Sequence, residues 1–269
     1  MNDTASRRRT AVEEQILKAA TVDRLHELLQ RSNELLAEQM LLQRVAALGG
    51  DRVFEFQHEH HGIRLWLPYA ASDLIQRRIL STSTFHRIGV LNRLKPRLGR
   101  GTVVCDIGAY IGSQSIFFGR CLEAAHVHAF EMLTFSCEIM RRNIELNAMG
   151  AGISIHHSAV GKKGDRAKLG SFKATNIGAT TIELADDGEM VCKALDELTF
   201  DRLDFVNIDI GAGQERVLLG ADATLQRHRP LVLLTLGPTD RDVVRLLEAR
   251  GFKQTERIGP AEHLFAFSA

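Results

Sequence analysis

Leu25, Leu28, Leu29, Leu35, Leu36, Leu42 and Val45 fall three and four positions apart, the spacing of one apolar stripe on a helix. The stretch from Ala11 to about Leu48 has no proline or glycine and is rich in Leu, Glu, Gln, Ala and Arg. It predicts a single helix, ended by Gly49-Gly50. The polar residues before it are expected to lack fixed structure. Ser32 and Gln39 interrupt the heptad seam, so the stripe has two readings: packing on its own domain, or a homodimer through residues 11–48.

The period then drops to two. Phe54, Phe56, Ile63, Leu65 and Leu67 alternate with polar residues about a turn near His61-Gly62, which predicts a β-hairpin. Residues 71–98 read as one or two amphipathic helices, with Ser72 or Asp73 as the cap. From Thr102 apolar strand segments (TVVCDI, HVHAFE, ISIHHSAV, LDFVNIDI, PLVLLTL) alternate with helical ones (QSIFFGRCLEA, FSCEIMRRNIELNA, QERVLLGADATLQRHR, DRDVVRLLEARG), and FKQTERI and HLFAFS close the series. That rhythm predicts an α/β domain with a parallel, Rossmann-like sheet and right-handed crossovers. Gly-rich residues 161–195 break it and read as an insertion over the sheet's C-terminal edge. The expected organisation is an N-terminal helical extension (1–50), a hairpin and helices (51–100) and a Rossmann-like domain (101–269).

Composition narrows the class without naming an activity. The chain of 269 residues is 45% hydrophobic and 25% charged, with a net charge of +1, so neither nucleic acid nor an acidic membrane is an expected partner. No apolar run approaches the roughly 20 residues that span a bilayer. Cys105, Cys121, Cys137 and Cys192 form no C-x-x-C pair and lie in apolar stretches, as reduced core residues of a cytoplasmic protein would. The arginine triplet near the start is followed by acids, unlike a signal peptide. His58, His60 and His61 read as a solvated turn, because no Cys or carboxylate set completes a ligand group; no metal is expected.

The main local signal is Asp106-Ile107-Gly108-Ala109-Tyr110-Ile111-Gly112, after a strand and opening a helix. Glycines there let backbone approach a ligand and let the helix pack closely. A dinucleotide fingerprint needs glycine where Tyr110 stands, which argues against NAD, FAD and other nucleotide enzymes. An acid at the strand end suits a cationic amino-acid ligand such as S-adenosylmethionine; the competing reading is a tight turn with no ligand. Glu131 ends the next strand, where a carboxylate can accept both ribose hydroxyls of a nucleoside. Ser158 and Ala159, ending the third strand, fall beside the adenine by topology.

The chain resembles the FkbM family of S-adenosylmethionine-dependent methyltransferases. The stretches that carry the likeness run in order from about residue 63 to 236: LWLPYAASDLIQRRILSTSTFHR, VVCDIGAYIGSQSIFFGR, VHAFE with RRNIELNA, SAVG, TNIGATTI, ALDEL, and LDFVNID with VLLGADATLQRHRP. The resemblance implies a seven-stranded methyltransferase sheet and methyl transfer, usually to oxygen, on a sugar, glycan or other small metabolite. It places Asp106, Gly108, Gly112 and Glu131 at the cofactor, and Asn176 and Asp209 at the reaction site; Ala109, between the two glycines, is counted with the cofactor residues.

The departures from the family lie at both places, in the glycine loop and after the ribose acid on the cofactor side, and after Asp209 and at the end of the fifth strand on the acceptor side. Tyr110 replaces an Asn, Met132 a Pro, and Thr235 stands near a usual Glu. After Asp209 the family's two acids are Gly211 and Gln214. Asp209, ending a central strand, is the best remaining base, with helix capping as its other reading. Two functions follow: an O-methyltransferase, or a cofactor-binding relative weakened by the lost acids and acting as a partner subunit.

Overall fold

The structure, a computed structural model, describes residues 2–185, 187–237 and 240–268, and for residues 2–20 and Ile182 the backbone alone. It divides into two compact units, residues 1–47 and 48–269. The first is one helix, α1 (Asn2–Ala47). It includes the opening residues expected to be unstructured; no proline or glycine interrupts them. Val22, Leu25, Leu28, Leu29, Leu35, Leu36, Met40 and Leu42 are each more than half exposed.

The second unit opens with a hairpin, β1 (Val53–His58) and β2 (His61–Trp66), in register from Val53 with Trp66 to His58 with His61. The two-residue turn is therefore Glu59-His60, ahead of the expected His61-Gly62, and Glu59 takes a positive φ of 53°. Two asparagines one helical turn apart on α5 (Thr134–Leu146) and just past it hold this hairpin. Asn143 Oδ1 accepts from Trp66 N at 2.6 Å, and Asn147 pairs with both backbone groups of Arg64. Helices α2 (Leu74–Thr82) and α3 (Ile88–Leu94) follow, and Asp73 caps α2 by accepting from Gln76 N at 2.9 Å.

The central sheet has seven strands. β3 (Val103–Ile107), β4 (His126–Glu131), β5 (Ile153–His157), β9 (Phe205–Ile208) and β10 (Leu231–Thr235) are parallel, and β11 (Phe252–Arg257) and β12 (Glu262–Phe267) form an antiparallel edge. The order is β11-β12-β10-β9-β3-β4-β5, so the chain reverses direction across the sheet between β3 and β9. Adjacent residues are buried along the strands, Val104 with Cys105, Phe205 with Val206 and Val232 with Leu233, so the sheet is covered on both faces.

Three predicted segments differ in detail. The helix expected at 114–124 is a single turn, α4 (Ser113–Ile116), that widens to a π-helix at Phe117–Cys121, with Phe117 and Phe118 fully buried. The helix expected over 214–229 is split into α6 (Gln214–Leu219) and α7 (Asp222–His228). The break is at Gly220, where a Cβ would stand 1.9 Å from the Gly161 carbonyl oxygen, so the chain presses on a neighbouring loop there. The last helix, α8 (Arg241–Glu248), precedes β11 as predicted.

The insertion at 161–195 forms its own three-stranded antiparallel sheet, β6 (Arg166–Leu169) between β7 (Ile182–Leu184) and β8 (Met190–Val191). All four cysteines are buried and unbridged. Among the described residues, no helix is long and apolar enough to cross a membrane, and no three His, Cys, Asp or Glu residues group as a metal site.

Candidate functional site

The carboxyl ends of β3, β4, β5 and β9 converge on a cleft of about 840 Å3, measured out to its open mouth. Open α/β sheets bind ligands outside the strand ends where the order reverses. Gly108, Glu131, Ser158, Ala159 and Asp209 line this cleft together, and Ile177, Gly178, Thr180 and Leu184 of the insertion close one side.

Gly108 has φ +83°, and a Cβ on it would lie 2.3 Å from the Asp209 carbonyl oxygen. Glycine is required there by the approach of the β3 and β9 ends as well as by its backbone angle. Gly108 N and Ala109 N both donate to Phe130 O at 3.0 Å, fastening the turn to β4. Gly112, φ +78°, leaves 2.7 Å between a would-be Cβ and Met140 Cγ, so it seats the turn against α5. Asn143 Nδ2 holds the same turn by donating to Ile111 O at 2.9 Å. Ala109 and Gly112 are buried behind the cleft rather than lining it.

Glu131 sits on the cleft floor with 9% of its surface exposed. Its Oε2 accepts from Tyr110 N at 2.9 Å and its Oε1 from Leu133 N at 2.8 Å. Each oxygen keeps a second lone pair for a ligand. Burial raises its pKa, against the lowering by the backbone donors of Leu133, Tyr110 and Met132. Ser158 and Ala159 lie beside it; the Ser158 hydroxyl is turned to Ala159 O at 2.8 Å.

Asp106 faces inward. It is 1% exposed, accepts from Ser115 Oγ at 2.5 Å and from Asn207 Nδ2 at 2.8 Å, and does not line the cleft. Its carboxylate ties β3 to β9 and to α4. Burial pushes its pKa up to about 6 despite those donors.

Tyr110, at φ 51°, occupies the left-handed region that glycine or asparagine enters more easily. Its buried ring lines the cleft, and its hydroxyl accepts from Gln76 Nε2 at 3.0 Å. Burial, with the Asp73 charge nearby, pushes its phenol well above the ordinary range. Asp73 is fully buried and acts twice: beside capping α2, its Oδ2 accepts from Ile177 N at 2.7 Å, anchoring the insertion at the cleft wall. In the sequence Asp73 reads only as a helix cap, and Gln76 carries no signal. The buried acid in ASDLIQ was visible, but not the loop 104 positions away that it holds.

Asn176 stands at the start of that anchored turn, next to the cleft-lining Ile177 and Gly178. Its Oδ1 and the Thr180 Oγ1 are buried with no hydrogen-bond partner among the described residues. Buried polar atoms are nearly always satisfied, so these two, Thr180 on the cleft wall and Asn176 beside it but not lining it, point to a ligand or water.

Asp209 lines the cleft but is not free. Arg87 Nη1 is 2.7 Å from its Oδ2, Gln114 Nε2 donates to the same oxygen at 3.2 Å, and Thr235 Oγ1 donates to Oδ1 at 3.1 Å. Arg87 also donates to Thr235 Oγ1 at 3.0 Å and pairs through Nη2 with Glu262 at 3.2 Å. Gln214, 6% exposed, donates through Nε2 to Ile210 O and Thr235 O, joining the ends of β9 and β10. Gly211 is exposed, and a Cβ there would meet only Thr181 Cγ2, at 3.5 Å.

A parallel sheet with an antiparallel edge pair and a cleft at its carboxyl edge is the Rossmann-like methyltransferase fold. The methyltransferase FkbM domain family matches residues 106–255, more than half of the chain, and the chain belongs to that family. Among solved structures it is similar to a methyltransferase FkbM from Methylobacillus flagellatus KT, at 14% identity over 88% of this chain and 59% of that one, with a TM-score of 0.44. The chain thus spans under two thirds of that protein's length. It is also similar to M. capricolum TrmK in complex with S-adenosyl-homocysteine, at 11% identity over 65% of each chain and a TM-score of 0.42. A third is the M. jannaschii tRNA m1G37 methyltransferase, at 16% identity over 81% of this chain and 54% of that one, TM-score 0.42. No curated protein matches the chain.

Proposed function

We propose that the protein transfers the methyl group of S-adenosylmethionine to a hydroxyl of a sugar, glycan or other small metabolite. The observation that carries this reading is Glu131: a buried carboxylate on the cleft floor, fixed by two backbone donors and with lone pairs to spare for two ribose hydroxyls. The donor is a cation, and the cleft suits it by charge, since Glu131 and Asp209 are its lining ionisable groups at neutral pH. Met132, Leu133, Ser158 and Ala159 form the adenine side. Gly108 and Tyr110 form the turn beneath the donor, and Asn176 Oδ1 and Thr180 Oγ1 offer polar partners. Asp106, Ala109 and Gly112 act by holding that turn in place.

The bound donor supplies an already activated methyl group. The chain's part is to align the acceptor, exclude water and receive a proton. Asp209 is the candidate base, steadied by Arg87, Gln114 and Thr235. Incubation with labelled donor and a metabolite extract, followed by mass spectrometry, tests the reading. tRNA belongs among the acceptors assayed, given the M. jannaschii relative of the same fold. No methylated product and no S-adenosylhomocysteine formation from any extract would contradict it.

One observation favours a second reading. Both oxygens of Asp209 already accept hydrogen bonds, as suits a structural carboxylate in a cofactor-binding protein without turnover. Donor binding with no product in that assay is its signature.

A further inference from the structure

A second cleft, of about 1180 Å3 out to open solvent, lies on the other side of the Arg87–Asp209 pair. Arg78 from α2, His86 and Arg87 before α3, Arg93 on α3, and Arg257 and Glu262 around the β11–β12 turn line it. Four guanidinium groups therefore face one carboxylate. The protein's net charge is only +1, so this concentration is local and not the mark of a basic chain.

The arginines are not all committed. Arg87 is paired with Asp209 and Glu262. Arg93 donates to the neutral Ile258 carbonyl at 3.1 Å, and Arg257 to the Gly259 and Pro260 carbonyls, and neither charge meets a counter-ion among the described residues. The Arg78 guanidinium makes no hydrogen bond or ion pair among the described residues. His86 Nδ1 is buried with no hydrogen-bond partner among the described residues. Like charges gathered in a concavity repel one another and focus a positive field, which a bound anion relieves. Guanidinium forks match the oxygens of a phosphoryl group in pairs. A single carboxylate would leave most of this charge unanswered, whereas a phosphate or diphosphate answers it.

We propose that this cleft binds a phosphoryl group carried by the methyl acceptor, which is therefore a phosphorylated small molecule. The proposal rests on the reading of the neighbouring cleft as the donor site. S-adenosylmethionine carries no phosphate, so the arginines serve the other reactant. Arg87 is common to both clefts: it lines the second and holds Asp209 in the first. An anion seated beside it brings the rest of the acceptor next to Asp209.

Calorimetry at fixed low ionic strength, with inorganic phosphate, pyrophosphate, glucose 1-phosphate, glucose and a short RNA as probes, tests this on the full chain. The phosphorylated probes bind and glucose does not. Arg78→Gln and Arg257→Gln each weaken pyrophosphate binding about tenfold or more, the effect of losing one charge-assisted hydrogen bond, while S-adenosylhomocysteine binds as before. That control shows the variants are folded. No anion binding, or anion binding that neither variant weakens, overturns the proposal. RNA binding far tighter than pyrophosphate, with the same arginine dependence, also overturns it and assigns the cleft to nucleic acid. Loss of S-adenosylhomocysteine binding alone, with anion binding intact in the wild type, refutes the donor reading and leaves the anion site standing.

Discussion

Arg87 Nη1 lies 2.7 Å from Asp209 Oδ2, so the carboxylate proposed as the base is held in an ion pair with a half-buried guanidinium. The same Arg87 is 3.2 Å from Glu262, whose side chain is 6% exposed. Arg87→Gln leaves two carboxylates without their counter-charge, and about 1–3 kcal/mol of stability is expected to go with it. Urea unfolding measures this. Asp209→Asn keeps the shape and removes the proposed base, and is expected to lower turnover by about 10²–10⁴ while donor binding survives. Turnover unchanged in Asp209→Asn would remove Asp209 from the chemistry.

The two positions where family acids are missing are not equivalent. Gly211→Glu enters open space beside Thr181 and is expected to change stability by less than about 0.5 kcal/mol. Gln214→Glu deletes a buried donor that serves the carbonyls of Ile210 and Thr235 and sets a carboxylate against them, at an expected cost of about 2–4 kcal/mol. Thermal unfolding of the two variants separates them. Equal, small effects would show that the Gln214 amide does not matter.

These positions also show where sequence reading stops. Val103–Ile107, Phe205–Ile208 and Leu231–Thr235 were legible as buried parallel strands because nearly every residue is apolar, and the Gly108 turn and Glu131 because they end two of the strands. The hairpin's strands were legible from alternation, but its turn was displaced because Glu59, not a glycine, carries the positive φ. Gln214 looked like a lesion, since a missing acid is visible in sequence and the two carbonyls it serves are not. Asp106 read as a ligand-facing acid for the same reason: its partners Ser115 and Asn207 come from other elements. Asn143, which grips both the hairpin and the glycine turn, carried no local signal beyond polarity on an otherwise apolar helix face.

Acidification is expected to destabilise the fold. Burial pushes His128 down to about 4, and burial with Arg87 nearby pushes His86 to about 4. A histidine whose folded pKa is depressed favours the fold while neutral, so that contribution is complete above the unfolded value of about 6.5 and is lost as pH falls toward 4. Asp106, pushed up to about 6, acts in the opposite sense: it stabilises on protonation, below that value. Glu131, also raised by burial, acts with Asp106, while His58, His61, His156 and His263, lowered by burial, act with His86 and His128; the histidines are the larger group, so the melting temperature should fall between about pH 6.5 and about pH 4. His128→Gln should flatten that slope. A melting temperature that rises over the window would contradict the assignment.

The row of exposed apolar side chains on α1 predicts self-association. A lone helix gains most of its stability by packing an apolar face, and a second copy offers the same stripe. Light scattering on the full chain should give a dimer that Leu28→Glu with Leu35→Glu, both on this row, converts to monomer. A monomeric wild type would refute the prediction.

The cleft over Gly108 and Glu131 is the centre of the account, and calorimetry with S-adenosylhomocysteine tests it most directly. The folded wild type should bind one equivalent. Glu131→Ala should weaken binding by about 10- to 150-fold, the worth of about 1.5–3 kcal/mol for charge-assisted hydrogen bonds. Its fold is to be checked by thermal unfolding, because Glu131 also receives Tyr110 N and Leu133 N. No binding by the folded wild type, or equal binding by a folded Glu131→Ala, would contradict the account.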